Sequence, residues 1–397
     1  MNEKLAGRHK LFIFASFCAY FLLAFPFTVQ GSIAPVTMEY YGITATQQGL
    51  IMTMQSIGSL CTAVFIALKG ERYNKIHVVA LGLLIVCVIG AVVMGIPAYA
   101  VLLALIVVMG IGASFIDIMM NSVFTDVFPA QKNTVLPFVH GFYSIGAAVV
   151  PVIVTRLVDP AIPQTFSYPF RVLAILGALV FVLYFVSGRR IFRDTPYTNM
   201  DAMKRRVVEN PAEIFKTGAS WFFLLTGILY FTFQMGITIW LPTFAIQNIG
   251  ADFKTGGTLL TAFYAGSIAM RFLGPLFLKK LKAHVFYAYF GGAAAVLMIA
   301  ALFAGNITLM FVLVLVSGFL QGANVVALVL MCVETFPERT ASAAAIYSIA
   351  SGTAFLSAPV WMGALSEKTG FLFPMVLVCV ALILSALLAL IHGRIRR

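Results

Sequence analysis

Long apolar segments recur along the whole chain, and short polar segments separate them. Each apolar segment has about 20 residues or more, the length that an α-helix needs to cross the hydrocarbon core of a bilayer. Lipid offers no hydrogen-bond partners, so every backbone group must be paired within its own segment, as it is in a helix. The pattern therefore predicts an all-α polytopic membrane protein. Twelve spans are predicted, at 12–37, 47–68, 77–97, 99–126, 135–158, 169–187, 220–247, 256–278, 284–305, 307–334, 340–364 and 371–392.

The longest polar segment divides these spans into six and six, and the two halves share residues at a constant offset of 208 positions. Internal duplication of this kind is typical of secondary transporters, whose substrate site lies between the repeats. The predicted organisation is a six-helix bundle over 1–187, a cytoplasmic linker over 188–218 and a second six-helix bundle over 219–397. The matching pairs are Gly49 and Gly257, Gly58-Ser59 and Gly266-Ser267, Gly110 and Gly318, Asp126-Val127-Phe128-Pro129 and Glu334-Thr335-Phe336-Pro337, and Pro151 and Pro359.

Composition and charge agree with a chain that lies mostly in lipid. Hydrophobic residues make up 61% of the 397 positions and charged residues only 10%, whereas about a quarter of the residues of a soluble domain are charged. With the N-terminus inside, 21 of the 26 Lys and Arg residues fall in cytoplasmic segments, four fall in outer segments, and Arg271 lies in a span. This positive-inside distribution predicts a bacterial inner-membrane protein with both termini in the cytoplasm. The net charge of +12 therefore reflects topology and contact with anionic lipid, and no nucleic-acid partner is expected.

Sequence signatures of enzymes are absent. The chain has no phosphate-binding glycine loop with its lysine, no paired metal ligands and no triad pattern, and its five cysteines are scattered singly through the predicted spans. We therefore expect no enzymatic activity, no cofactor, no metal site and no ATP-driven transport, which leaves an ion gradient as the energy source. No predicted loop is large enough to hold a soluble domain, and a monomer is expected.

Asp117 is the acidic residue that lies well inside a predicted span, where a carboxylate costs roughly 2.5–3.5 kcal/mol. Gly110, Ser114 and Asn121 share its helix face, so that face should point into the bundle. One interpretation is that Asp117 carries the coupling proton; the alternative is a structural carboxylate held by Asn121 or by a neighbouring helix.

His140 and Arg271 are the other candidates for proton coupling. A histidine titrates near neutral pH and suits a relay or a gate, although His140 can equally be a histidine bonded to backbone. Arg271 and Asp117 are each predicted about 12–14 Å above the cytoplasmic surface. At equal depth they can meet, directly or through His140. The alternative is that Arg271 extends its side chain to the interface instead.

Neutral polar and aromatic residues inside the spans form the predicted substrate-binding set. Amides bond hydroxyl groups, and aromatic rings stack on the apolar face of a sugar, so the set suits an uncharged polyol or sugar. Tyr230, Gln234 and Thr238 repeat every four residues and should form one stripe, while Gln321 and Asn324 lie one turn apart in the tenth span. Each residue alone can also serve only to join helices. The predicted set is Asn121, Gln30, Gln55, Tyr230, Gln234, Trp240, Gln321 and Asn324.

Several motifs carry a family resemblance. Gly70-Glu71-Arg72-Tyr73-Asn74-Lys75 is similar to the acidic–Arg–x–Gly–basic signature of the major facilitator superfamily, with Asn74 in place of the glycine. Met270-Arg271-Phe272-Leu273-Gly274 resembles the family's eighth helix, in which an arginine is often found. The resemblance implies the major facilitator fold, with two pseudo-symmetric six-helix bundles and transport by alternating access.

A further likeness is to the fucose, galactose and glucose proton symporters of that superfamily. His140-Gly141-Phe142-Tyr143-Ser144-Ile145-Gly146-Ala147 followed by Pro151 resembles their fifth helix, Asp117 with Asn121 their fourth, and Trp240-Leu241-Pro242-Thr243 their seventh. Gln234 stands near the place where that branch often carries a glutamate.

The expected function is uptake of a small neutral polar solute such as a sugar, coupled to protons or to another ion. One alternative is a proton-driven exporter of amphipathic drugs or metabolites, which would use the 36 phenylalanines and 17 methionines as an adaptable apolar cavity. Another is a membrane sensor or scaffold that binds a ligand without moving it. The absence of a signalling domain or large loop counts against the sensor.

Overall fold

The computed structural model describes residues 7–127, 132–194, 216–336 and 340–395, which form α-helices, two short 3₁₀ turns and no β-strand. The 3₁₀ turns, Gly70–Arg72 and Pro163–Ser167, precede the third and sixth helices. The helices are α1 (Gly7–Tyr41), α2 (Ala45–Lys69), α3 (Lys75–Val93), α4 (Tyr99–Val127), α5 (Lys132–Leu157), α6 (Tyr168–Asp194), α7 (Gly218–Ile249), α8 (Phe253–Leu278), α9 (Ala283–Leu302), α10 (Ile307–Gln321), α11 (Asn324–Thr335), α12 (Thr340–Thr369) and α13 (Leu372–Ile395).

Polar residues and glycine set several of the helix ends. Asn74 precedes α3, and its side chain accepts a hydrogen bond from the backbone N–H of His77 at 3.2 Å. Asn306 does the same for α10, accepting from the N–H of Thr308 at 2.8 Å. These caps satisfy donors that have no partner in the first turn of a helix. At the other end of α7, Gly250 adopts φ 71°, a left-handed conformation that glycine tolerates and that stops the helix.

The predicted all-α membrane fold is confirmed. Among the described residues, eleven helical segments are long and apolar enough to cross a membrane. The remaining long helix, α8, has 26 residues, which is also enough to span. It carries Lys254 and Arg271 among several threonines and glycines, and this explains its lower apolar content.

The tenth span differs from its prediction as one continuous helix over 307–334. It is broken between α10 and α11, where the N–H of Gly322 bonds the carbonyl of Phe319 at 3.2 Å, an i→i−3 turn tighter than an α-helix. A Cβ on Gly322 would collide with the backbone carbonyl of Ser267 on α8. The close approach of α8 therefore requires glycine at the break.

The chain divides into two compact units. The first takes in residues 1–29 and 54–207, and the second takes in 30–53 and 208–397. In the first unit α3 packs against α4 and α6. In the second, α7 packs against α12 and α13, and α10 packs against α8 and α9. Residues 30–53, which end α1 and begin α2, group with the second unit, whereas the sequence placed them in the first bundle. Of the predicted linker 188–218, α6 includes the part up to Asp194, and 195–215 lies outside the described residues.

Close glycine contacts join α2 to α4 in the first unit. A Cβ on Gly58 would collide with the carbonyl oxygen of Val107, and one on Gly110 would collide with the carbonyl oxygen of Gln55. The hydroxyl of Ser59 also donates to the carbonyl of Gly110 at 3.1 Å. Small residues at these points let two helix backbones approach within van der Waals distance.

The second unit contains the same arrangement between α8 and α10. A Cβ on Gly266 would collide with the carbonyl oxygen of Leu315, and one on Gly318 would collide with that of Phe263. All four residues lie 208 positions after their counterparts in the α2–α4 contact. The internal duplication read from the sequence is thus also present in the packing of the backbone.

Within the second unit, the end of α1 and the start of α2 pack on α7 and α12. Gly31 lies against Ile239, whose Cα would be 2.8 Å from a Cβ at position 31. Thr53 donates from its hydroxyl to the carbonyl of Leu356 at 2.8 Å. The N–H of Thr46 donates to Oε1 of Glu367 at 2.7 Å, so a carboxylate from α12 caps the positive N-terminal end of α2.

Candidate functional site

The first unit holds a hydrogen-bonded group of four polar side chains, Tyr20, Asp117, Asn121 and His140, which we call the Tyr20 cluster. The hydroxyl of Tyr20 on α1 lies 3.0 Å from both the backbone oxygen and Oδ1 of Asp117 on α4. One turn further along α4, Nδ2 of Asn121 donates to the backbone oxygen of Asp117 at 2.8 Å. The face predicted for α4 therefore meets α1 through Asp117.

His140 on α5 completes the Tyr20 cluster. Its Nε2 lies 3.1 Å from Oδ1 of Asn121, and its ring meets the ring of Tyr20 edge-on, with centroids 5.2 Å apart. The amide nitrogen of Asn121 already donates to a carbonyl, so its oxygen must face His140. Nε2 of His140 therefore carries a hydrogen and donates it.

Burial differs within the Tyr20 cluster. Tyr20 is 1% exposed, Asn121 is half-buried, and the side chains of Asp117 and His140 are exposed. A Cβ on Gly146 would collide with the carbonyl oxygen of Phe21, so a glycine brings α5 close to α1 just beyond His140. The arrangement presents an accessible carboxyl group on a buried hydroxyl, with an imidazole beside it. Such a group can hold and release a proton.

The second unit holds another polar group, which we call the Gln234 network: Tyr230, Gln234 and Thr238 on α7, Tyr264 on α8 and Gln321 on α10. Nε2 of Gln321 donates to the hydroxyl of Tyr230 at 2.8 Å and to Oε1 of Gln234 at 2.6 Å. The hydroxyl of Thr238 lies 2.8 Å from that of Tyr264. The stripe predicted along α7 is thus bonded to two neighbouring helices.

Arg271 lies on α8, seven residues after Tyr264, and is half-buried. It shares α8 with Tyr264, so the helix that contributes Tyr264 to the Gln234 network also carries a positive charge. Asp117 belongs to the first unit and Arg271 to the second. Their pairing, direct or through His140, stays a prediction.

Among the described residues, the remaining members of the predicted set take no part in the hydrogen bonds of these two groups. Gln30 is buried in α1, and Gln55 is fully buried in α2 with neither amide atom hydrogen-bonded to any part of the chain that the structure describes. Trp240 is fully buried, with its ring centroid 5.0 Å from that of Phe371.

Asn324 begins α11 and is also fully buried. Its Nδ2 would be 2.6 Å from a Cβ on Gly291 of α9, so its amide lies against that helix. Gln321 instead faces α7. Because the helix breaks at Gly322, these two side chains face different helices. In one continuous helix they would lie one turn apart.

Sequence reasoning missed Tyr20 and Tyr264. Tyr20 stands alone among apolar residues of the first span, and nothing in its spacing marks it. Tyr264 lies seven residues before Arg271 and so on the same face of a helix, which is a signal that the sequence contained. No three His, Cys, Asp or Glu side chains among residues 7–127, 132–194, 216–336 and 340–395 come together as metal ligands.

Comparisons with known proteins bear on the whole chain. The sequence profile of the Major Facilitator Superfamily matches residues 16–359. An uncharacterized MFS-type transporter of Bacillus subtilis (strain 168), YfkL, is 21% identical over 276 residues, which is 69% of this chain and 68% of the relative.

Solved transporter structures share the fold. A bacterial homolog of the human lysosomal transporter Spinster, in an inward-facing and occupied conformation, has a TM-score of 0.78 at 14% identity and covers 98% of both chains. A D-xylose–proton symporter has a TM-score of 0.76 at 13% identity, over 96% of this chain and 97% of its own. The nucleoside transporter NupG has a TM-score of 0.76 at 11% identity, over 98% and 99%. At these identities the likeness shows the fold.

Proposed function

Because the chain belongs to the Major Facilitator Superfamily, we propose that this multi-pass membrane transporter takes up a small neutral polar solute, such as a sugar, together with protons. It works by alternating access between two six-helix bundles, 1–187 and 219–397, joined by a cytoplasmic linker. It acts as a monomer in a bacterial inner membrane, with both termini in the cytoplasm. No cofactor takes part.

The observation that best supports the proposed proton coupling is the hydrogen bond from the buried hydroxyl of Tyr20 to the accessible carboxylate of Asp117. A carboxylate inside a membrane is expensive to keep, and such residues mark substrate and ion pathways and proton relays. His140, which donates to Asn121 and touches the ring of Tyr20, is the second group that can exchange a proton there. Arg271, which belongs to the second unit, is the third residue of the proposed coupling set.

The proposal that the solute is neutral rests on the chemistry of the Gln234 network. Its amides and hydroxyls carry no charge, and such groups recognise hydroxyl and carbonyl groups by hydrogen bonds. Gln30, Gln55, Asn121, Trp240 and Asn324 extend the same neutral character. Two transporters of the same fold, one a D-xylose–proton symporter and one a nucleoside transporter, handle solutes of this kind, which supports the proposal.

The test begins with binding by the purified protein. Thermal shifts are measured with D-xylose, D-glucose, uridine, lactate and an amphipathic cation, and the solutes that stabilise the protein are then assayed in proteoliposomes. A neutral solute should raise the melting temperature, and an imposed pH difference, acidic outside, should drive its accumulation. Stabilisation by the cation alone, with proton-driven efflux, would establish the exporter instead. Binding without any flux or counterflow would establish the sensor.

A further inference from the structure

We propose that Glu367 is a latch, a side chain that holds the outer ends of α2 and α12 together until the transporter opens to the outside. The contact is a hydrogen bond from the backbone N–H of Thr46 to Oε1 of Glu367, at 2.7 Å. The proposal rests on the proposed function, in which two six-helix bundles work by alternating access. It goes further by assigning one residue to the opening step at the outer face.

Glu367 ends a line of close contacts that joins α2 to α12. On each helix the contact residues lie three or four positions apart, so they share one face. On α2 the line runs from Ala45 to Thr53, a distance of about 12 Å along the helix. We call this line the α2–α12 seam, which consists of Ala45, Thr46, Gly49 and Thr53 on α2 and of Leu356, Pro359, Gly363 and Glu367 on α12.

Two glycines bring the helix backbones into contact along the α2–α12 seam. A Cβ on Gly363 would collide with the carbonyl oxygen of Ala45, and one on Gly49 would collide with that of Pro359. Packing of this kind rests on van der Waals contact and involves no charge. Glu367 is the charged member of the α2–α12 seam, so its bond to α2 is the contact that depends on charge.

The first turn of α2 has a cap of its own, but that cap does not bond Thr46. The N–H of Gln47 donates to the hydroxyl of Thr44 at 3.3 Å, and the N–H of Thr44 donates to Oε1 of Gln47 at 2.9 Å. This reciprocal pair has the form of a capping box. The N–H of Thr46 has no partner within the first turn of a helix, and it bonds Glu367 instead. When α2 and α12 separate, this N–H must exchange the carboxylate for water.

The repeat counterpart of α2 shows the same chemistry without a second helix. At the start of α8, the N–H of Thr255 donates to Oδ1 of Asp252 at 2.9 Å. Asp252 lies 208 positions after Thr44 and directly precedes α8 in the chain, so its carboxylate moves with the helix that it caps. Glu367 lies on α12 and does not move with α2. A carboxylate at a helix N-terminus is therefore local in α8 but joins two helices at α2.

The position of the α2–α12 seam connects it with alternating access. By sequence, α2 belongs to the first six-helix bundle and α12 to the second, and the proposed topology places Glu367 at the outer face. Opening to the outside parts the bundles at that face, so the bond to Thr46 breaks in each cycle. Glu367 is exposed, and a carboxylate at an exposed helix N-terminus changes an equilibrium by about two- to fivefold. The latch thus favours the closed outer face without preventing it from opening.

Thiol labelling of Thr53→Cys measures how often the α2–α12 seam opens. Thr53 is 8% exposed and lies at the end of the seam farthest from Glu367, so an impermeant reagent added outside reaches a cysteine there after α2 and α12 part. In a protein without its five natural cysteines, Glu367→Ala should raise the labelling rate in intact cells by about two- to fivefold. Glu367→Gln keeps an oxygen that can accept from Thr46 but removes the charge, so its rate should lie between those of wild type and Glu367→Ala.

Asp252→Ala is the matched control, because it removes a carboxylate from the start of α8 and leaves the α2–α12 seam intact. It should not change the labelling rate of Thr53→Cys. An unchanged rate in Glu367→Ala overturns the latch, and so does an equal rise in Asp252→Ala, which would show a general loosening of the protein.

Uptake of D-xylose into proteoliposomes, measured separately, distinguishes failure of the latch from failure of the proposed function. Faster labelling in Glu367→Ala, with no neutral solute transported by wild type, supports the latch and rejects the proposed solute. Uptake of D-xylose by wild type, with unchanged labelling in Glu367→Ala, supports the proposed solute and rejects the latch.

Discussion

The hydroxyl of Tyr20 lies 3.0 Å from Oδ1 of Asp117 and equally far from the backbone oxygen of the same residue. Tyr20 has one hydrogen for these two acceptors, so the carboxylate shares that hydrogen with the backbone oxygen. An ionised carboxylate only accepts hydrogen bonds, whereas a protonated one also donates. If Asp117 takes up the coupling proton as proposed, it would change what it offers to Tyr20, and we expect the contact between α1 and α4 to respond.

The first prediction concerns Asp117→Asn. The asparagine keeps the size of the neutral acid and can still accept from Tyr20, but it cannot titrate. The variant should exchange solute across the membrane in counterflow at a rate within a few-fold of wild type. It should lose accumulation driven by an imposed pH difference, because no proton moves with the solute. Full pH-driven accumulation would remove Asp117 from coupling and leave His140 as the candidate.

The second prediction concerns Tyr20→Phe. Phenylalanine keeps the edge-on contact with His140 and removes both bonds to Asp117, so the carboxyl group is free to turn away. Accumulation should fall several-fold while counterflow is retained. Tyr287→Phe is the matched control, since Tyr287 is a fully buried tyrosine of the second unit whose hydroxyl lies 2.6 Å from that of Ser385. A parallel fall in accumulation and counterflow for Tyr20→Phe, with the same pattern in the control, would indicate a structural role alone.

Local spacing was enough to predict contacts along one helix. Asp117 and Asn121 lie one turn apart, and Asn121 does bond the carbonyl of Asp117. Tyr230 and Gln234, also one turn apart, do share the partner Gln321. The period of the α-helix fixes such relations before any tertiary packing is known.

Contacts between helices could not be predicted from the sequence because they depend on how the helix backbones approach each other. Tyr20 reaches Asp117 only because α1 and α4 are close at that level, and no pattern in α1 marks it. The break at Gly322 likewise follows from the carbonyl of Ser267 on another helix. Because the span is broken, Asn324 faces α9 and Gln321 faces α7. The prediction of one continuous helix could not include this difference.

The third prediction separates two residues of the substrate-binding set. Gln234→Ala removes the half-buried member of the Gln234 network, and it should weaken solute binding by roughly tenfold, the effect of about one hydrogen bond, without unfolding the protein. Asn324→Ala tests a residue whose amide lies against Gly291 in this structure. If Asn324 contacts the solute in another conformation, its loss should also raise the dissociation constant. Isothermal titration of both variants with D-xylose measures this, and unchanged affinity in Gln234→Ala would contradict the proposed contact.

The fourth prediction is that segment 188–218 and both termini face the cytoplasm. It follows from the 21 cytoplasmic and four outer Lys and Arg residues of the predicted loops. Asn199→Cys in a protein without its five natural cysteines should react with an impermeant thiol reagent only after the cells are opened. Ala161→Cys, in the exposed loop before the sixth helix, is the matched control and should react in intact cells. The reverse result at both positions would invert the topology.

The fifth prediction uses the duplicated glycine contacts. Gly110 lies against the carbonyl of Gln55, and Gly318 lies against that of Phe263. A methyl group at either position meets backbone, which cannot move aside as the end of a flexible side chain can. Gly110→Ala and Gly318→Ala should therefore each destabilise the protein by about 1–3 kcal/mol, the usual range for overpacking, and lower its melting temperature in detergent.

Gly292→Ala provides the control, because a Cβ at position 292 on α9 would lie 3.8 Å from the Cβ of Ala386, an ordinary contact distance. That variant should keep its melting temperature or raise it, since alanine favours a helix over glycine. The two contact variants must behave alike, because their positions are the same point of a repeated helix pair, 208 residues apart. A large loss in Gly110→Ala with none in Gly318→Ala would mean that α8 and α10 can separate where α2 and α4 cannot. The two helix pairs would then be alike in sequence and in backbone geometry, but their glycine contacts would contribute differently to the stability of the protein.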